Sequence, residues 1–355
     1  MANDLTFELA KIFKLAVEKG ASDILITANS APILRICGDL GFVQTGPLTP
    51  ELTKRAVYQL LNSNQIARFE ADKELDFSIY LEDARQRFRG NAYLQRGTVA
   101  AAFRLIPTDI PTLDSLNLPA ILGDMAAEMQ GLILVTGPTG HGKSTTQAAM
   151  IDVINTTRKC HIIIVEDPIE YLHTNKRSVI DQREVGDDTL GFPNALKHVL
   201  RQDPDVILIG EMRDLDTISS SLTAAETGHL VISTLHTNDV VQAIDRLLDV
   251  FPPHQQGQIR SQLSLSLLAI IGQRLIARRD GKGMVPAVEI LMANAAVRNL
   301  IRKGDTPQMY GIMETHSREG MVTMDTAIKD LYLSGIITYE EAKKRMRTPG
   351  LLREI

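Results

Sequence analysis

Gly137-Pro138-Thr139-Gly140-His141-Gly142-Lys143-Ser144 is the stretch on which the fold turns. It matches the pattern Gly-x4-Gly-Lys-Ser/Thr, with Thr145 following, and it sits between an apolar run, Leu132-Ile133-Leu134-Val135, and a helix-prone run, Ser144 to Asn155. The glycines let the backbone curl so that successive N–H groups converge on phosphate oxygens. The helix that follows offers its free N–H groups and the positive end of its dipole to the same anion. Lys143 has the length and charge to reach the β- and γ-phosphates, and the Ser144 hydroxyl suits a magnesium ion. The stretch therefore predicts a bound nucleotide, ATP with Mg2+, cradled by Gly137 to Thr145.

Working outward, the chain alternates between strands and helices from Ala120 onward. Short apolar runs at Leu132–Thr136, His161–Glu166, Val206–Gly210 and Leu230–Thr234 suit a parallel sheet buried on both faces. Helical stretches at Ser144–Asn155, Phe192–Arg201 and Asp214–Glu226 fall between them. This is the α/β architecture of a RecA-like ATPase core. Beyond His236 the pattern turns mostly helical, with runs expected at Val240–Asp249, His254–Arg278, Ala295–Arg302, Met324–Ser334 and Thr338–Arg347. Thr338 and Glu341 have the spacing of a capping box for the last of these.

The first hundred or so residues read as a small α+β (PAS-like) domain. A helix places Leu5, Leu9, Ile12, Phe13, Ala16 and Val17 on one face, and strands follow at Asp23–Thr27, Ile33–Ile36, Gly41–Gln44, Leu75–Tyr80, Gln86–Gln95 and Val99–Ile106, with a helix at Leu52–Leu61. Pro107-Thr108-Asp109-Ile110-Pro111 interrupts both helix and sheet. The expected division is residues 1–106 as the small domain, 107–119 as a hinge linker, and 120–355 as the ATPase domain with its helical C-terminal region.

Bulk composition narrows the function. A formal net charge of −5 argues against electrostatically driven nucleic-acid binding, and the basic cluster Lys343-Lys344-Arg345-x-Arg347 reads as a solvated face. Only two cysteines occur, Cys37 and Cys160, which excludes a cysteine zinc cluster and a disulfide framework and suits a reduced, cytosolic setting. Charges at Glu8, Lys11, Lys14 and Glu18 exclude a secretory signal in the first segment, and the weakly polar stretch Leu263 to Gly272 is too short to span a bilayer.

Hydrolysis needs magnesium held, water oriented and developing charge neutralised. Val206 to Gly210 is an apolar run that ends at Glu211, and the run His161 to Glu166 ends in Glu166-Asp167-Pro168-Ile169-Glu170. Glu211 is the candidate magnesium-side acid and Glu166 its partner in polarising water, with the general base open between them. The usual pattern closes such a strand with aspartate; here Gly210 intervenes and Glu211 must serve. His229 and His236 bracket the strand Leu230 to Leu235, and an imidazole beside a γ-phosphate can sense it. Arg213, beside Glu211, is a candidate for phosphate sensing or interface pairing.

Taken together, the phosphate loop, Glu166 to Glu170, Gly210-Glu211-Met212-Arg213-Asp214 and His229 to Thr237 resemble the Walker A, Asp box, Walker B and His box of the secretion and pilus motor ATPases. Ala296-Val297-Arg298-Asn299-Leu300-Ile301-Arg302 is similar to the Ala-Ile-Arg-Asn-Leu-Ile-Arg signature of the PilT-type retraction branch, and Ala21-Ser22-Asp23 sits where that branch begins its first strand. His141 departs from the serine usual there, and its side chain is expected to point away from the phosphates. The tail also resembles that of an accessory retraction paralogue.

The resemblance implies an ATPase driving type IV pilus retraction, built as a homohexamer with ATP between subunits. Arg89, Arg96 and Arg104 match the arginines that such rings supply to a neighbour's nucleotide, and His229 is carried with them as a catalytic candidate. The implied partners are the inner-membrane platform protein at the pilus base and a paralogous pilus ATPase. The implied place is the cytoplasm, peripheral at the inner face of the inner membrane. The segment Arg298–Arg302 would transmit motion or support the ring. An assembly ATPase of the same superfamily usually adds an N-terminal domain and a four-cysteine zinc site, which two cysteines do not supply. A DNA-translocating ring motor is disfavoured by the acidic balance. A ring component that binds ATP without splitting it conflicts with the presence of Lys143, Ser144, Glu166 and Glu211.

Overall fold

The computed structural model describes residues 2–36, 38–82 and 86–352, with residues 2–8 by backbone alone. Cys37 and the side chains of Leu5 and Glu8, named above, lie outside what is described. The chain divides into two compact units, one of Met1–Asp109 with Glu170–Leu172, the other of Ile110–Ile169 with His173–Ile355.

The first unit contains α1 (Ala2–Glu18), β1 (Asp23–Ile26), β2 (Ile33–Ile36), β3 (Asp39–Phe42), α2 (Pro50–Tyr58), α3 (Ser63–Asp72), β4 (Glu74–Leu81), β5 (Gln86–Gln95) and β6 (Thr98–Leu105). Its six strands form one sheet in the order β3-β2-β1-β6-β5-β4, every pair antiparallel. Alternate residues Phe88, Gly90 and Ala92 of β5 face inward, as period-two patterning requires. Phe13 of α1 packs edge-on against Phe88 and Phe103, with ring centroids 4.7 and 4.9 Å apart. Helix α3, absent from the sequence reading, starts at a capping box in which Asn62 and Gln65 bond reciprocally.

The second unit contains α4 (Ile121–Ala127), β7 (Gly131–Thr136), α5 (Lys143–Thr157), β8 (His161–Glu166), β9 (Val179–Glu184), α6 (Phe192–Val199), β10 (Val206–Ile209), α7 (Leu215–Glu226), β11 (Leu230–Leu235), α8 (Val240–Asp249), α9 (Pro253–Ser266), β12 (Leu267–Ala277), β13 (Met284–Met292), α10 (Ala295–Lys303), α11 (Met309–Thr315), α12 (Met324–Leu333) and α13 (Tyr339–Arg345). Seven strands are ordered β13-β12-β7-β11-β10-β8-β9, parallel except for the β12–β13 pair. Strands β7, β10 and β11 are buried along their whole length, which is why they read as continuous apolar runs.

One expectation is corrected here. The run His254–Arg278 is not one helix: α9 ends at Ser266 and the chain continues as β12. Leu267-Leu-Ala-Ile-Ile is apolar at every position, so periodicity cannot separate a buried strand from a buried helix, and burial against β7 decides for strand. Of the stretch 107–119, residues 107–109 fall in the first unit and 110–119 in the second. Leu113 and Leu118 are buried in the second unit's core with Leu122, and Leu118 N–H donates to Leu113 O at 3.0 Å.

The C-terminal helices are tied down by one acid. Glu289 of β13 is 2% exposed, accepting from Val240 N through Oε2 at 3.0 Å and from Met324 N through Oε1 at 3.2 Å. It thereby takes a free N–H at the start of both α8 and α12. Thr338 accepts from Glu341 N at 3.2 Å and starts α13. Arg345 and Arg347 are not simply solvated. Arg345 O accepts from Arg274 Nη1 at 3.3 Å, and the Arg347 guanidinium lies 4.3 Å from the Tyr310 ring centroid.

Candidate nucleotide site

The loop of residues 137–142 joins the end of β7 to the start of α5. Thr136, its last strand residue, is fully buried, and its hydroxyl lies 2.6 Å from that of Thr237 while accepting from Thr237 N at 3.1 Å. This contact fixes the entry to the loop against the residues that follow β11. Gly137 has φ 143° and Gly142 has φ 79°, a region that side chains other than glycine rarely occupy. At Gly137 a Cβ would collide with the carbonyl oxygen of Gln273, and at Gly142 it would lie 2.9 Å from Gln273 Nε2.

Lys143 opens α5 and is 7% exposed. Its ammonium donates to Gly137 O at 2.8 Å and Pro138 O at 3.0 Å. Burial holds its pKa below the ordinary lysine value, and the charge of Glu211 opposes that shift. Ser144 and Thr145 follow on the first turn of the same helix.

His236 links Lys143 to the acid. Its Nδ1 lies 3.5 Å from Lys143 Nζ and its Nε2 lies 3.2 Å from Glu211 Oε2. One neutral tautomer serves both contacts, with Nε2–H donating to the carboxylate and Nδ1 accepting from the ammonium. Glu211 is also paired with Arg213, whose Nε is 2.7 Å from Oε1. Glu166 ends β8 directly beside Gly210, because Ile209 pairs with Val165 and Gly210 N donates to Val165 O at 2.8 Å. The two carboxylates predicted from strand endings are thus brought to the same end of the sheet as the loop. Oxygen donors of this kind, with a serine hydroxyl, are the chemistry Mg2+ takes, usually keeping several waters.

His229 is a correction. In the parallel pairing Leu235 lies opposite Thr136, whereas Leu230 lies opposite Gly131. His229 therefore sits at the other end of β11, roughly 17–20 Å from the loop by strand rise. Its Nδ1 is 2.9 Å from Ala224 O, at the end of α7, which is a structural contact. Of the two histidines that bracket the strand, His236 is the one at the site.

The three arginines of the first unit do not form one group. Arg89 and Arg104 are directly opposite on β5 and β6, both on the exposed face, and Arg104 Nε donates to Asp23 Oδ1 at 2.9 Å. Arg96 is at the tip of the β5–β6 hairpin with φ 50°, about 20 Å along the strands from that pair. The signature arginine Arg298 donates to Ser264 O at 2.5 Å and Leu265 O at 2.7 Å. It closes the free carbonyls at the end of α9, a role its sequence context did not indicate.

His141 turns onto β12, where its Nδ1 accepts from Leu275 N at 2.9 Å. Burial lowers its pKa first, and the charges of Lys143, Arg274 and Arg345 lower it further. Sequence reasoning passed over Gln273. The available signal was a polar amide inside the apolar run Ile270-Ile271-Gly272-Gln273-Arg274-Leu275-Ile276.

Comparison with known proteins gives the family. The family model described as Type II/IV secretion system protein matches residues 113–304. The chain is 43% identical over 342 residues to the type IV pilus retraction ATPase PilT of Pseudomonas aeruginosa, across 96% of this chain and 99% of that one. It is also 43% identical to the type IV pilus ATPase PilU of the same organism, across 94% of this chain and 87% of that one. The crystal structure of the pilus retraction motor PilT with bound ADP superposes with a TM-score of 0.90 at 46% identity, covering 97% and 98% of the two chains. This chain belongs to the PilT-type retraction ATPases of the type II/IV secretion family.

Proposed function

We propose that this chain is an ATP-hydrolysing motor that drives type IV pilus retraction. The observation that carries the reading is the series Lys143, His236, Glu211 and Arg213, linked at 3.5, 3.2 and 2.7 Å beside the phosphate loop. The N–H groups of the loop and Lys143 hold the phosphates. Ser144 and Glu211 would hold Mg2+, which when bound neutralises charge on the β- and γ-phosphate oxygens. Glu166 at the end of β8 and Glu211 just past β10 divide the remaining work of activating water. His236, between ammonium and carboxylate, is placed to respond when a γ-phosphate takes up Lys143.

The working assembly is a homohexamer at the inner face of the inner membrane, with Arg89 and Arg104 offered to a neighbour's nucleotide. It acts on the platform protein at the pilus base and together with a paralogous pilus ATPase. Among the described residues no helix is long and apolar enough to cross a membrane. The test is steady-state ATP turnover against protein concentration for the wild type, Glu211→Gln and Arg104→Ala. Specific activity should rise with concentration, Glu211→Gln should bind nucleotide while turning over about 100-fold more slowly, and Arg104→Ala should assemble yet lose the rise. Full turnover by Glu211→Gln, or activity independent of concentration, would overturn the reading.

A further inference from the structure

Strand β12 runs past the point where its neighbour β7 stops. Gly272 pairs with Thr136, the last residue of β7, so Gln273, Arg274 and Leu275 lie alongside the phosphate loop itself. Gln273 is 3% exposed, and both ends of its amide are used. Oε1 accepts from the Thr146 hydroxyl at 2.6 Å and Nε2 donates to His141 O at 2.8 Å. Its backbone oxygen lies against Gly137, and Leu275 N holds the His141 ring. One residue therefore touches the start of the loop, its crest and the first turn of α5.

The contact with His141 O has a directional effect. The peptide joining His141 to Gly142 is planar and trans, so its N–H points opposite to its C=O. A donor that holds the carbonyl outward onto β12 aims the Gly142 N–H inward, toward where phosphate oxygens bind. Without that donor, the peptide loses the restraint on its carbonyl, and the binding-competent loop becomes one conformation among several. Apparent affinity then falls by the fraction still competent.

We propose that Gln273 is a positioning residue of the nucleotide site, acting through the 141–142 peptide without touching the nucleotide. The proposal rests on the nucleotide-binding reading given above. If the competent fraction drops to roughly 1–10%, the Kd for Mg·ADP rises about 10- to 100-fold. The chemistry at saturating ATP is nearly untouched.

The experiment uses the full chain with Gln273→Leu, which keeps the bulk and removes the amide. Three readouts are needed: the Kd for Mg·ADP by calorimetry, kcat and KM for ATP, and amide hydrogen exchange over residues 137–144 without nucleotide. The expected result is a Kd and KM raised about 10-fold or more, kcat within about threefold, and faster exchange confined to the loop. An unchanged Kd, or a loss confined to kcat, overturns it. Should Gln273→Leu fail to fold, Gln273→Met and Thr146→Val carry the same test, and unchanged Kd in both overturns it. Failure of the wild type to bind Mg·ADP would instead refute the nucleotide reading, while the exchange data without nucleotide would still report whether Gln273 orders the loop.

Discussion

Replacing Glu289 with glutamine should be costly although it looks conservative. The two carboxylate oxygens serve different helices, Oε2 at the start of α8 and Oε1 at the start of α12. Glutamine has one acceptor oxygen. It can satisfy one helix, and its NH2 group must then face the backbone N–H of the other. One net hydrogen bond is lost, about 1 kcal/mol, and a buried N–H is left unpaired at a further 1–3 kcal/mol. The expected cost is about 2–4 kcal/mol, which in a unit of this size lowers Tm by roughly 4–16 °C.

The cost should depend on pH with a defined sign. Burial, reinforced by Asp239, raises the Glu289 pKa, while the two backbone N–H groups and Arg274 act against that shift. A carboxyl with a raised pKa stabilises the fold fully below its unfolded value of 4.5, and this contribution is lost as pH rises through the folded value. Glutamine lacks the slope, so the gap between wild type and variant should be widest below pH 4.5 and narrow as pH rises above it. Far-ultraviolet circular dichroism melts are suitable because the chain has no tryptophan. A variant as stable as the wild type at pH 5, or a gap that widens with pH, would refute the reasoning.

Other outcomes follow from individual contacts and buried groups. His141 has a lowered pKa and accepts from Leu275 N, so its neutral form is the one the fold selects. The loop should be firmest above pH 6.5 and loosen as pH falls below it, and the Kd for Mg·ADP should weaken more in the wild type than in His141→Ser between pH 7.5 and 5.5. His236→Ala should reduce ATP turnover at least about tenfold, whereas His229→Ala should leave it within about twofold; equal losses would sink the assignment of the two histidines. Arg298→Ala should destabilise by about 1–3 kcal/mol through the end of α9, with Arg298→Lys recovering part of it in denaturant titrations. Acidification should also strain His173, whose pKa burial lowers to about 4; stability present above pH 6.5 should decline toward that value, and His173→Gln should flatten the decline in acid titrations.

The order of elements around the nucleotide was legible because each signal was local. A glycine loop between an apolar strand and a helix leaves few alternatives, and Glu166 at the close of β8 and Glu211 two residues past β10 are carried by the parallel register to one end of the sheet. What was not legible depended on which end of a strand faces the loop. His229 and His236 flank the same strand, and only the pairing of Leu235 with Thr136 separates them. The same limit applied to Arg96, which a hairpin carries away from Arg89 and Arg104. Strand β12 was hidden for another reason: a fully buried strand and a buried helix share one composition. With the strand unseen, Gln273 had no place beside the loop.

The contact between Gly137 and Gln273 has a consequence for genetics. A side chain introduced at position 137 is opposed by the Gln273 carbonyl oxygen, an atom that every amino acid carries. No replacement at 273 can make room, so a screen for suppressors of Gly137→Ala should return none at that position. At Gly142 the opposing atom belongs to the Gln273 side chain, and a shorter residue would relieve the crowding. Any suppressor found there would restore space for the loop while giving up the amide that orients it.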